Sequence, residues 1–360
     1  MFSVAKDLQF FWVLPTATIV SLLIGPLIAE KVPRMRFLFF WVLVGVISSL
    51  LPVFLSKFGE HGTAVSLALW GFSFGIGAPS ALALMPALTR VEERGRVGGV
   101  IFFVTFAILP LFVLTIGNLD ISSSSLPLAV WRGLALLLLF SLKVDLGATL
   151  KPVSYTSIFP RREFLLFFAP WLIFGLVHQL EYPVIEQSFG TNYMWTLTIV
   201  ESVVGSLFCF IGGWSMDFWG RKWTILIGLM LLGLGFALLS FFPLALVVQA
   251  FYIGADGIAW GIFTVAFGLV IWGDMANHQQ AEKFYGLGSI PTPLALLAAG
   301  LASPWLKTLD ASKAFPLASF FLFLAVIPIF FAPELLPEKV VKERELRKYV
   351  EEAKKIAGRG

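Results

Sequence analysis

Gly213-Trp-Ser-Met-Asp217-Phe-Trp-Gly220-Arg221-Lys222 is the densest polar cluster between two long apolar runs. Placed between apolar stretches 193–216 and 223–242, it reads as a tight turn joining two membrane helices. The whole chain agrees with that reading. Of its 360 residues 58% are hydrophobic and only 13% are charged, a balance that cannot be arranged around a water-soluble core.

Working outward from the turn, the requirement of about 20 apolar residues per crossing gives about eleven spans. They are 10–29, 37–56, 64–88, 97–116, 126–142, 164–185, 193–216, 223–242, 244–272, 284–306 and 314–331. Only Pro243 and its aromatic neighbours separate 223–242 from 244–272. A continuous run of about 50 apolar residues exceeds one crossing and proline favours a turn, so two helices are predicted there. The predicted fold class is an all-α membrane protein with two pseudo-symmetric bundles of five and six helices. The bundles take residues 1–142 and 164–332, the linker 143–163, and a charged tail 333–360.

Basic residues fall in alternate loops, which sets the orientation. One set carries Lys31, Arg34, Arg36, Arg90, Arg94, Arg96, Lys143, Lys151, Arg161, Arg162, Arg221, Lys222, Lys283 and the tail; the other carries only Lys6, Lys57, Lys307 and Lys313. With the first set inside, the C-terminus is cytoplasmic, Met1 is outside and the chain sits in the cell membrane. The excess positive charge suits anionic headgroups, so the bilayer is the expected partner and nucleic acid is not. Cys209 stands alone, so no disulfide forms within the chain. The first span lacks a charged n-region and a small-residue cleavage site, so it reads as a span rather than a removable leader. In the tail, Val341, Leu346, Tyr349, Val350, Ala353 and Ile356 among Lys and Glu read as a helix, either beside lipid or solvated.

Ionisable residues inside spans are costly unless paired or facing a wet cavity. Arg132, His178, Glu181, Glu201 and Asp256 are in this position. His178 shares a helix face with Glu181, and Tyr182 is adjacent. Gln249, Tyr252, Asp256, Trp260 and Thr264 form a second stripe at helical spacing, and Thr198, Glu201 and Gly205 a third. These groups are the candidate substrate and proton site; the structural alternative is permanent pairing with a base such as Arg132 or His178. Arg132 could also snorkel toward the outer interface. Gly71, Gly75 and Gly77 correspond in position to Gly254, Gly257 and Gly261, a faint repeat that suits close helix packing or a mobile backbone. Trp171, Trp195 and Trp260 suit an aromatic solute or packing, and Pro79, Pro86, Pro170, Pro183 and Pro291 are expected to kink helices.

No Gly-x-x-x-x-Gly-Lys-Ser/Thr loop is present, so ATP is not the expected driving force. His61, His178 and His278 lie in separate segments and the aspartates are dispersed, so neither a metal, a cofactor nor an enzyme's nucleophile–base pair is predicted.

Gly213-x-x-x-Asp217-x-x-Gly220-Arg221-Lys222 resembles the signature loop of the major facilitator superfamily. A degraded copy, Gly25-Pro-Leu-Ile-Ala-Glu30-Lys31-Val-Pro-Arg34-Met-Arg36, follows the first span, about one residue out of register and without the second glycine. In the family the loop follows the second helix of each six-helix half. The resemblance therefore implies that the family's first helix is absent here, through an atypical build or because Met1 is an internal start in a longer gene. It further implies a secondary transporter that moves a small solute by alternating access. Asp217, Arg221 and Lys222, with Gly213, Gly220, Gly25, Glu30 and Arg34, would then form a cytoplasmic gate, and protons could couple through the acids of the second half. An uncoupled facilitator and a transport-inactive sensor or assembly subunit are the alternatives.

Overall fold

The computed structural model describes residues 10–116, 119, 121–141, 153–276, 279–306 and 308–336. Lys6, Lys143, Lys151, His278, Lys307, most of the linker and the tail beyond 336 lie outside them. Among the described residues every regular element is helical. The helices are α1 (Val13–Ala29), α2 (Arg34–Leu50), α3 (Pro52–Leu55), α4 (Gly59–Leu82), α5 (Leu84–Leu88), α6 (Arg94–Ile116), α7 (Ile121–Ser141) and α8 (Tyr155–Ile158). They continue with α9 (Arg162–Phe189), α10 (Thr191–Phe218), α11 (Arg221–Phe241), α12 (Leu246–Val265), α13 (Ile271–Ala276), α14 (Glu282–Gly288), α15 (Pro291–Leu306) and α16 (Ala311–Phe331).

Seven described helical stretches are long and apolar enough to cross a membrane, and α1 is a shorter apolar helix. In hydrocarbon the backbone must satisfy its own hydrogen bonds, which is why these sequences are helical whatever their individual propensities. The turn around Pro243 separates α11 from α12, and a turn of π-helix at Ala266–Val270 joins α12 to α13. Several expected spans are divided. Pro52 opens α3 after Leu51, α4 gives way to α5 at Ala83, and α14 gives way to α15 at Ser289 and Ile290. Pro291, expected to kink a helix, instead starts α15, where its missing N–H costs nothing.

Packing sorts the helices into two groups with matching patterns. In the first, α4 packs on α1 and α2, and α2 on α7; in the second, α12 packs on α10 and α11, and α11 on α16. The groups meet where α1 lies against α14 and α15, and where α6 lies against α10. The two glycine runs serve equivalent crossings. A Cβ at Gly71 would meet Leu14 and Thr18 of α1, and one at Gly261 would meet Cys209 and Phe208 of α10. α9 packs on α15 and α16; among the described residues no helix stands in the same way against α6 and α7.

Candidate functional site

The signature turn is built into an ion-pair network at the basic end of the molecule. Gly220 has φ of 104°, a backbone that L side chains rarely adopt, which lets α10 end and α11 begin almost at once. Asp217, fully buried near the end of α10, accepts from the Gly95 N–H and the Arg96 N–H, both at 2.9 Å. These donors lie in the first turn of α6, where an N–H has no partner within its own helix and the helix dipole favours a carboxylate. The same oxygens accept from Arg221 Nη1 at 3.1 Å and Arg96 Nε at 3.2 Å. The approach depends on glycine: α6 and α10 cross with Gly99 Cα only 2.9 Å from where a Gly213 Cβ would stand.

Arg221 is equally buried and carries the network onward. It donates through Nε to Asp274 at 3.0 Å, through Nη1 to the Met216 carbonyl at 2.8 Å, and through Nη2 to the Val91 carbonyl at 2.5 Å. Asp274 also accepts from Arg94 Nη1 at 2.7 Å. Glu334, beyond α16, caps α11 by accepting from the Arg221 N–H at 2.8 Å and the Lys222 N–H at 3.2 Å. Lys222 reaches back to the Phe330 carbonyl at 2.5 Å.

The degraded copy is wired differently. Glu30 pairs with Lys283 at 2.6 Å and Arg34 with Glu282, so the loop after α1 is tied to the start of α14 by side chains alone. Lys283 also donates to the Val153 carbonyl at 2.7 Å, and Tyr155 of α8 donates to the Leu23 carbonyl at 2.8 Å. Burial, and then the charge of Glu30, push the Tyr155 phenol above its ordinary range, so it remains a donor. Gly25 lies within α1 and packs on the backbone of Ile76 in α4, so it serves a helix crossing rather than the turn.

The candidate groups inside the helices divide into three sets. Glu181 of α9, Glu201 of α10 and Asp256 of α12 gather with Tyr193 and Tyr252: Asp256 interacts electrostatically with Glu201, Tyr193 and Tyr252, and Glu181 with Tyr252. No described Lys, Arg or His forms an ion pair with these acids. Glu181 Oε2, Asp256 Oδ2 and the Tyr193 hydroxyl are buried without a hydrogen-bond partner among the described residues. A bare carboxylate there carries a desolvation cost that a proton, a cation or a donor must offset. Tyr182 bonds to Thr198 beside this set.

Arg132, expected as a base for the acids or a snorkelling side chain, does neither. Its Nη1 meets the Gly45 carbonyl at 2.8 Å, Ser73 Oγ at 3.0 Å and Ser48 Oγ at 3.1 Å, tying α7 to α2 and α4. Those acceptors satisfy a guanidinium locally, which removes the reason to seek a distant acid. His178 likewise pairs with no acid; its Nδ1 accepts from Trp260 Nε1 at 3.3 Å. Gln249 leaves the stripe and donates to the Pro243 carbonyl at 2.8 Å. Trp171 stacks on Phe267 with centroids 5.0 Å apart.

Asp274, Glu282 and Glu334 are participants that the sequence does not mark out, and Arg94 and Arg96, which count in it only toward orientation, are two more. Each flanks a predicted span, and the one available signal was their alternation of sign across loops carrying the signature residues.

Two matching groups of long apolar helices, locked by charge at one end, define a two-bundle helical membrane protein. The fold is that of the major facilitator superfamily transporters. A crystal structure of the human organic anion transporter MFSD10 is similar with a TM-score of 0.71 and 14% identity, over 89% of this chain and 83% of that one. The proton:xylose symporter XylE, bound to 6-bromo-6-deoxy-D-glucose, is similar at 0.66 and 15% identity, over 93% and 88%. A bacterial homologue of the iron transporter ferroportin, in an outward-facing state, is similar at 0.68 and 14% identity, over 91% and 92%. No family model and no curated protein matches the sequence.

Proposed function

We propose that this chain is a secondary transporter that carries a small solute across the cell membrane by alternating access. The observation that carries the reading is the distribution of polar contacts. Ion pairs from both signature copies, Glu30–Lys283 and Arg34–Glu282 from one and Asp217–Arg96 from the other, join the two helix groups at the basic end, whereas the unpaired acids sit away from it. Such a network can act as a latch that closes one side while the other admits solute. On this reading the bundles 1–142 and 164–332 rock against each other, the basic end and C-terminus are cytoplasmic, and Asp217, Arg221 and Lys222 belong to the gate.

Coupling to protons is assigned to Asp256 and Glu201. Two neighbouring carboxylates without a base are held more easily when one carries a proton, and release of that proton to the opposite side can be tied to solute movement. Tyr182 and Glu181 flank this pair, and His178 and Trp260 face the solute.

Uptake by proteoliposomes containing the purified full chain tests the reading. Solute accumulation driven by a pH gradient supports it. Conversion of the solute to a product points to an enzyme, and ligand binding with a sealed vesicle and no flux points to a sensor; either result overturns it.

A further inference from the structure

His178 is held in an arrangement that fixes which of its ring atoms can meet a ligand. Trp260 Nε1 lies 3.3 Å from His178 Nδ1, and the rings meet edge to face with centroids 4.8 Å apart. Phe174 backs both, 6.2 Å from His178 and 5.0 Å from Trp260. An indole nitrogen only donates, so Nδ1 must be the acceptor and the neutral ring carries its proton on Nε2. An imidazolium has no acceptor and could not keep this bond.

The Nε2 side is available. It makes no hydrogen bond among the described residues, and the side chain is only half-buried although it lies about 24 Å along α9 from Arg162. The adjoining face of α12 is equally open to a ligand. Trp260 and Thr264 of α12 and Gly268 of the π-turn that follows are half-buried at successive turns between fully buried neighbours. That face is turned to the first group, because a Cβ at Gly268 would stand 2.9 Å from Phe102 of α6. The Thr264 hydroxyl makes no hydrogen bond among the described residues.

We infer that Trp260 locks His178 as the Nε2–H tautomer, and that this N–H and the Thr264 hydroxyl recognise an oxygen acceptor on a solute lying against Trp260. The solute class is a carboxylate, carbonyl compound or polyol with a ring or apolar face, not an amine. The inference rests on the transport reading for the word solute, but the recognition chemistry stands on the ring geometry and the open face beside it.

Nitrogen-15 NMR of the histidine-labelled full chain in lipid nanodiscs tests it, with benzoate, xylose and benzylamine as probes and the His178 signals assigned by their loss in His178→Gln. The expected spectrum has protonated Nε2 and bare Nδ1, a mixture of tautomers in Trp260→Phe, and an Nε2 signal that benzoate or xylose moves and benzylamine does not. A protonated Nδ1, or an Nε2 signal that no probe or only the amine moves, overturns the inference. Side-chain replacement adds a positional readout. His178→Asn keeps a group for Trp260 and loses the donor, so it should bind the active probe about tenfold more weakly; His178→Gln returns an N–H near the Nε2 position and should recover most of that loss. Wild-type affinity in His178→Asn overturns the assignment. Uptake of the same probes separates the two readings: binding that moves Nε2 without flux sinks the carrier and spares the recognition, whereas flux with an unresponsive Nε2 does the reverse.

Discussion

Asp217 and Asp256 are both buried aspartates, and they stand on helices α10 and α12 that pack together, yet one is saturated with donors and the other is short of them. Asp217 takes two backbone N–H groups and two guanidinium groups, whereas Asp256 keeps an oxygen with no donor among the described residues. A carboxylate fixed by four donors from two helices besides its own holds those helices in one arrangement. A carboxylate left short of donors among acids and tyrosines ties no helix to another in that way. Burial alone therefore says little about role; the supply of donors separates the two sites.

The largest expected effect comes from the saturated acid. Asp217→Lys sets a cation against Arg96, Arg221 and the positive end of α6, so the closed arrangement should be lost and turnover should fall by about tenfold or more. Solute binding should survive, since the substitution is remote from His178 and Trp260. Asp217→Asn is the gentler form and should lower the free energy of unfolding by about 3–5 kcal/mol, the usual cost of removing one partner of a buried pair. Thermal unfolding and single-turnover uptake measure the two effects. Normal turnover in the lysine variant would remove the latch from the mechanism.

The unpaired acids should respond with the opposite sign. Asp256→Asn and Glu201→Gln remove a charge that nothing described offsets, so stability should hold or rise by about 1 kcal/mol. Uphill accumulation should disappear while solute exchange continues. A melting temperature that falls as far as in Asp217→Asn would mean that Asp256 has a strong partner after all. Unchanged accumulation in both variants would discard proton coupling.

Much of this contrast could be foreseen only on one side. The turn at Gly213–Lys222 shows itself in sequence because its residue types are local: an acid ending one helix, a glycine, and bases opening the next. That Asp217 would seek Arg221 or a helix N-terminus follows from the dipole alone. Which N-terminus does not, because Gly95 lies 122 positions away and carries no side chain to advertise the contact. Asp274, Arg94 and Glu334 look in sequence like ordinary solvated charges at span ends. Arg132 misleads for a related reason. A base in a span suggests an acid as its partner, but a glycine carbonyl and two serine hydroxyls satisfy it at short range, and such acceptors are too common in apolar runs to be noticed. The divisions of the long spans are unequally hidden: Pro52 and Pro291 open their own helices, and Pro86, with no N–H for the Leu82 carbonyl, accounts for the pause at Ala83, while no proline marks the π-turn at Ala266–Val270.

Smaller effects refine how the saturated end is held. Gly220→Ala forces a side chain into a backbone of φ 104° and against the Glu334 carboxylate, and should destabilise by about 2 kcal/mol. Unaltered melting in that variant would show that the turn relaxes freely. Glu334→Ala removes the cap of α11 and should cost about 1 kcal/mol alone. Its interest lies in combination. Glu334 holds the Arg221 backbone while Asp217 holds the Arg221 side chain, so the two acids act on one residue from opposite ends. Sites that share a partner in this way depart from additivity, here by about 0.5 kcal/mol or more. A double-mutant cycle of Asp217→Asn with Glu334→Ala should therefore lose less than the sum of its parts, because an Arg221 already released by one change has less to lose from the other. Strict additivity would place Glu334 outside the network and make the segment after α16 a bystander to the latch.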